Sequence, residues 1–174
     1  MILDTICAIS TAYGTAGISV IRVTGMEAIT KVNEIFKGKD LRKVKSHTVS
    51  YGYILDEDNK TLDEVMVAVF KAPRSFTSED MVEISTHGGI LVTNQVLKRL
   101  LSVGLRLANP GEFTERAFVH GRIDLAESEA VMDLISAKNE KAMKLAMHGL
   151  KGDTSNLIKN LREKLLAIIA VIEV

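Results

Sequence analysis

The sequence predicts an α+β protein: an amino-terminal mixed β-sheet domain with packed helices, followed by a long α-helical hairpin. Two observations carry this. Short runs rich in β-branched residues, partly alternating, recur up to Thr86 with helical spacing between them, and after residue 123 only helical spacing remains. The change of period divides the chain into residues 1–120 and residues 121–174.

Taken in order, Thr5 to Ser10 and Ile18 to Val23 are expected strands, and Gly25-Met26 opens a helical stretch to Phe36. His47 to Leu55, Glu64 to Phe70 and Met81 to Thr86 are the next three strands. From Ile90 to Ser102 the residues Val92, Val96, Leu97, Leu100 and Leu101 stand at helical spacing. Pro110-Gly111 makes a sharp turn into a short helix from Glu112 to Phe118. Asp124 with Glu127 forms a capping-box pattern, and Val131, Leu134, Ile135, Ala142, Leu145 and Ala146 trace one stripe, so a long helix is expected. Gly149 and Gly152 interrupt it, Asp153 to Ser155 supply cap candidates, and Leu157, Leu161, Leu165, Ile168, Ile169 and Ile172 form a second stripe. The final turns are apolar on every side and need neighbours on every side, while Glu173-Val174 carries no stop signal; the chain is therefore expected to be cut short of further helices.

Composition narrows the function. With 47% apolar and 25% charged residues the chain has the profile of a soluble globular protein. Its 22 basic and 22 acidic residues cancel, which leaves no basic footprint for nucleic acid. Cys7 is the only cysteine, so no internal disulfide forms, and its apolar strand points to a buried structural thiol. No signal peptide is read, and the longest apolar run is far short of the roughly 20 residues of a membrane span. The expected location is the cytoplasm, without membrane attachment.

Two segments are too rich in turn formers and charges to be plain connectors: Pro73 to Gly89 and Asn109 to Leu125. Alternation puts Arg22 on the face that carries Ile18 and Val20, where a guanidinium needs an anionic or carbonyl partner; a structural carboxylate or water serves as well as a ligand. Glu83, Ser85 and His87 share one face of their strand, ending at Gly88-Gly89 and a helix start whose amides can receive an anion. That pattern also fits a solvent-facing edge with a satisfied histidine. Phe113 and Phe118 are available to a core or to a flat ligand. Arg122 stands just before the helical tail, where a solvated arginine is the plain alternative. No Gly-x4-Gly-Lys-Ser/Thr motif occurs, His47, His87, His120 and His148 are scattered singly, and no nucleophile sits in a recognisable elbow. No metal site and no catalytic residue are expected.

Asp4 to Thr11, Gly17 to Gly25, Phe76-Thr77-Ser78-Glu79-Asp80, His87-Gly88-Gly89 and Asn109 to Phe118, in that order, resemble the amino-terminal part of the MnmE family, also called TrmE, of tRNA-modification GTPases. The resemblance covers essentially the whole chain. It implies an amino-terminal domain similar to the folate-binding domain of aminomethyltransferases and the opening of a helical domain, with the G domain beyond Val174. It implies a GTP hydrolase that, as the full-length protein with Mg and K and with its partner MnmG, modifies the wobble uridine of tRNA; this chain, lacking the G domain, should not hydrolyse GTP. It further implies a homodimer and a bound 5-formyl-tetrahydrofolate or related reduced folate, with Arg22, Glu83 and Arg122 at the folate-contacting positions. The chain departs from the pattern at Ala12-Tyr13 (prolines), Arg122 (lysine) and Thr86 (cysteine), and the change at Arg122 alters geometry while keeping charge. Two other readings are a stand-alone folate-dependent one-carbon transferase and a non-catalytic dimerisation scaffold.

Overall fold

Alternation along the strands decides which side chains the amino-terminal unit buries. The computed structural model describes residues 4–172, apart from the side chains of Thr154 and Asn156. By its contacts the chain divides into two units, the first closing at Arg116 and the second opening at Ala117. The first contains β1 (Ile6–Ile9), β2 (Ile18–Thr24), α1 (Ala28–Ile35), β3 (Phe36–Lys37), β4 (Thr48–Leu55), β5 (Thr61–Phe70), β6 (Met81–His87), α2 (Ile90–Ser102) and β7 (Arg106–Leu107). The boundary falls inside α3 (Glu112–Val119).

The strands form one mixed sheet in the order β3-β4-β5-β6-β2-β1-β7, antiparallel throughout except for the parallel β1 and β7 pair. Ile21 and Val23 of β2, Val65, Val67 and Val69 of β5, and Val82 and Ile84 of β6 all point to one face and are buried. Against that face pack Ala28, Ile29, Val32 and Ile35 of α1 and Val96 and Leu100 of α2, both sets at helical spacing. Each buried Val, Ile or Leu side chain here contributes about 1.5–3 kcal/mol by leaving water, which makes this layer the main source of stability. The opposite face carries Arg22, Glu83, Tyr51 and Met66, half-buried or exposed.

Local chemistry trims the expected elements. His47 adopts φ 62, so β4 starts one residue later than expected. The helix expected from Gly25-Met26 begins at Ala28, because Gly25 takes φ 133 and donates its N–H to the Asp80 carbonyl. A Cβ at Gly25 would meet Thr5 Cα at 2.8 Å, so only glycine fits there. The two-residue strands β3 and β7 carry no periodic pattern of their own and were not expected.

The second unit holds three helices: α4 (Leu125–Ser136), α5 (Glu140–Leu150) and α6 (Asp153–Ile172). The capping box forms, with Asp124 Oδ1 accepting from Glu127 N at 2.9 Å and Glu127 Oε2 accepting from Asp124 N at 2.7 Å. The single long helix expected after it does not. Ala137 turns to an extended ψ, and Asn139 caps a new helix by accepting from Ala142 N at 2.9 Å. An asparagine that caps in this way competes with continued helix, so the expected hairpin becomes three helices. Gly149 lets α4 and α5 approach closely, since a Cβ on it would lie 2.8 Å from Ala130 Cβ. The α6 stripe from Leu157 to Ile172 is exposed. Glu173 and Val174, whose missing stop signal motivated the truncation expectation, lie outside the described residues. No helix among the described residues is long and apolar enough to cross a membrane.

Candidate functional site

The antiparallel register of β2 and β6 sets Arg22 directly opposite Glu83 on the sheet face that α1 and α2 leave open. Arg22 Nε and Nη2 both donate to Glu83 Oε1, at 3.0 and 2.7 Å. The anionic partner that Arg22 requires is thus the Glu83 carboxylate. Both side chains are part-buried, 27% exposed, so each keeps an edge open to solvent that a ligand can approach. Among the described residues nothing donates to Glu83 Oε2 and Arg22 Nη1 has no acceptor, which leaves one acceptor and one donor edge for a ligand.

Two aromatic rings flank the guanidinium. Arg22 Cζ lies 5.4 Å from the centroid of Phe76 and 5.7 Å from that of Phe113, inside the range of cation–π attraction. Each ring comes from one of the two segments singled out in the sequence, so the fold brings both to the same guanidinium. Phe113 thus stands at the site, whereas Phe118 is exposed on the second unit.

Beside the rings lies a charge network that sequence reasoning missed. Arg116 is fully buried; its Nη1 donates to the Asp4 carbonyl at 2.9 Å and to Glu79 Oε1 at 3.3 Å, and its Nη2 to Asp4 Oδ1 at 2.7 Å and Glu112 Oε1 at 3.0 Å. Arg106 bonds Asp4 and Glu112 from outside, and Asn109 N donates to Glu112 Oε2. Arg106, then that backbone amide and Arg116, hold the Glu112 carboxyl down at about 2 against the opposing effect of burial. Arg106, with help from Arg116, also lowers Asp4. The i,i+4 spacing of Glu112 and Arg116 was the one legible trace of this network.

The rest of the polar edge is structural. His87 Nδ1 lies 2.6 Å from Asp63 Oδ1, and Asp63 Oδ2 accepts from His87 N at 2.9 Å. The Asp63 carboxylate raises His87 above its ordinary value of 6.5, with its hydrogen bond the larger cause. The Gly88 amide, expected to be open to an anion, donates instead to the Gly17 carbonyl at 3.3 Å, and the Gly88 carbonyl accepts from Ala16 N. Cys7 is fully buried, and desolvation pushes its thiol up to about 12, as fits a packing residue. Arg122 belongs to the second unit, where its amide donates to the Ala117 carbonyl at 2.9 Å. Among the described residues no group of three or more His, Cys, Asp or Glu is placed to hold a metal ion.

Comparison with known proteins agrees with both units. The family described as GTP-binding protein TrmE N-terminus matches residues 5–122, and the MnmE helical domain matches residues 125–174. A tRNA modification GTPase MnmE from Acholeplasma laidlawii is 63% identical over all of this chain and 39% of its own length. Its namesake from Aster yellows witches'-broom phytoplasma is 55% identical over all of this chain and 38% of its own, and that from Ligilactobacillus salivarius is 55% identical over 98% and 37%. The chain spans about two fifths of the length of these curated relatives. On the strength of these matches over both units, the chain belongs to the MnmE (TrmE) family of tRNA modification GTPases.

Proposed function

We propose that this chain is the folate-binding and pairing part of a GTPase that, together with MnmG, modifies the wobble uridine of tRNA in the cytoplasm, and that Arg22 and Glu83 contact a reduced folate such as 5-formyl-tetrahydrofolate. The observation that carries this is the Arg22–Glu83 pair on the open sheet face, flanked by Phe76 and Phe113. A pterin is flat and presents adjacent N–H donors beside a ring carbonyl. Glu83 Oε2 supplies an acceptor for the donors, Arg22 supplies N–H groups for oxygen, and the rings offer apolar surface to a flat ligand. Arg122 is a third contact, with arginine in place of the family's usual lysine; its guanidinium suits a carbonyl or carboxylate oxygen. Folate would supply the one-carbon unit, and GTP, Mg and K belong to the remainder of the longer protein. Ile18, Val49, Tyr51 and Met66, exposed on the same open sheet face, support pairing with a second copy.

Calorimetric titration with 5-formyl-tetrahydrofolate tests the reading. Saturable binding is expected, and Glu83→Ala should weaken it by about tenfold or more, the scale of one lost hydrogen bond to a charged group. Unchanged affinity in a well-folded Glu83→Ala protein removes Glu83 from the site. No binding by the native chain would favour the scaffold reading.

A further inference from the structure

Arg116 is an expensive residue to bury. A guanidinium that is fully out of water loses several kcal/mol of hydration, and its ion pairs repay this only when every donor is matched. Here Nε is buried without a hydrogen-bond partner. Apolar side chains of similar volume would serve stability as well, so the arrangement calls for a role beyond holding the unit together.

The partners of Arg116 indicate that role. Glu79, met by Nη1, stands three residues after Phe76. Between them Ser78 adopts φ 59, a left-handed conformation rare for a residue with a side chain. Thr24 Oγ1 donates to Glu79 Oε2 at 3.0 Å, and Ser75 Oγ donates to the Glu79 carbonyl at 2.6 Å, so this strained loop is tied down at Glu79 from three directions. Glu112, met by Nη2, is the residue before Phe113, on the same helix as Arg116 itself. One rigid fork therefore grips both segments that carry the rings over Arg22.

We infer that Arg116 is a positioning residue: by bridging Glu79 and Glu112 it sets the spacing of Phe76 and Phe113 around the Arg22 guanidinium, and so shapes the folate site. The folate part of this inference rests on the function proposed above; the positioning of the rings does not. Lysine keeps the charge that the surrounding carboxylates need, but a single ammonium cannot reproduce the two-pronged grip.

The test uses the full chain with Arg116→Lys, and with Glu79→Gln as a near-isosteric second variant should the first not fold. Two quantities are read in each: the Arg22 Nε–H resonance, which senses both rings, and the dissociation constant for 5-formyl-tetrahydrofolate. In a variant that still unfolds cooperatively, the Arg22 resonance should shift and the folate affinity should fall by about tenfold. A native Arg22 resonance in the folded variant overturns the positioning role, whatever the folate result. A displaced resonance with native folate affinity overturns its link to binding. Absence of folate binding in the unaltered protein defeats the functional reading alone, and the resonance still decides whether Arg116 positions the rings.

Discussion

His87 and Cys7 show how single side chains report their surroundings. His87 is largely exposed but bonded to the buried carboxylate of Asp63, and this raises its pKa above 6.5. A group whose folded pKa is raised stabilises the fold below its unfolded value, and that contribution is lost as pH rises through the folded value. An NMR titration should therefore place His87 above 6.5, and Asp63→Asn should bring it down; the same midpoint in both proteins would contradict the contact. Glu112 behaves oppositely. Held down at about 2, it contributes stability above its ordinary value of 4.5 that is lost as pH falls toward 2. Cys7 should resist a thiol reagent in the native protein and react on unfolding, and rapid labelling of the native form would contradict its burial.

At the level of elements, the legible parts were those whose signal is local. Strand alternation separated Glu83 and Ser85 from Val82 and Ile84, and the Asp124 capping box formed as its spacing required. The break at Asn139 was missed because the apolar stripe runs through it on both sides, and Ala142 stands three residues on where a capping box would have Glu or Gln. Asn139→Ala should cost about 1 kcal/mol, read as a lower midpoint in chemical unfolding; an unchanged midpoint would mean that the cap does not hold α5. Gly149→Ala should also destabilise, because its Cβ would press against Ala130 at 2.8 Å. The smaller strands β3 and β7 were invisible because pairing partners far along the chain create them.

For the whole molecule, long-range pairing explains what sequence could and could not reveal about the site. Arg22 and Glu83 could each be assigned a face, but their register as direct neighbours follows only from the assembled sheet. The approach of Phe76 and Phe113 to one guanidinium, and the convergence of Asp4 and Glu79 on Arg116, likewise depend on residues distant in order. Family membership follows from the match over both units, whereas binding is a claim about one face of the sheet. Amide chemical-shift mapping of the isotope-labelled chain during titration with 5-formyl-tetrahydrofolate tests that claim most directly. Saturable shifts should centre on Arg22 in β2 and Glu83 in β6, with Phe76 and Phe113 beside them. Saturable shifts confined to other surfaces, or none at all, would contradict it.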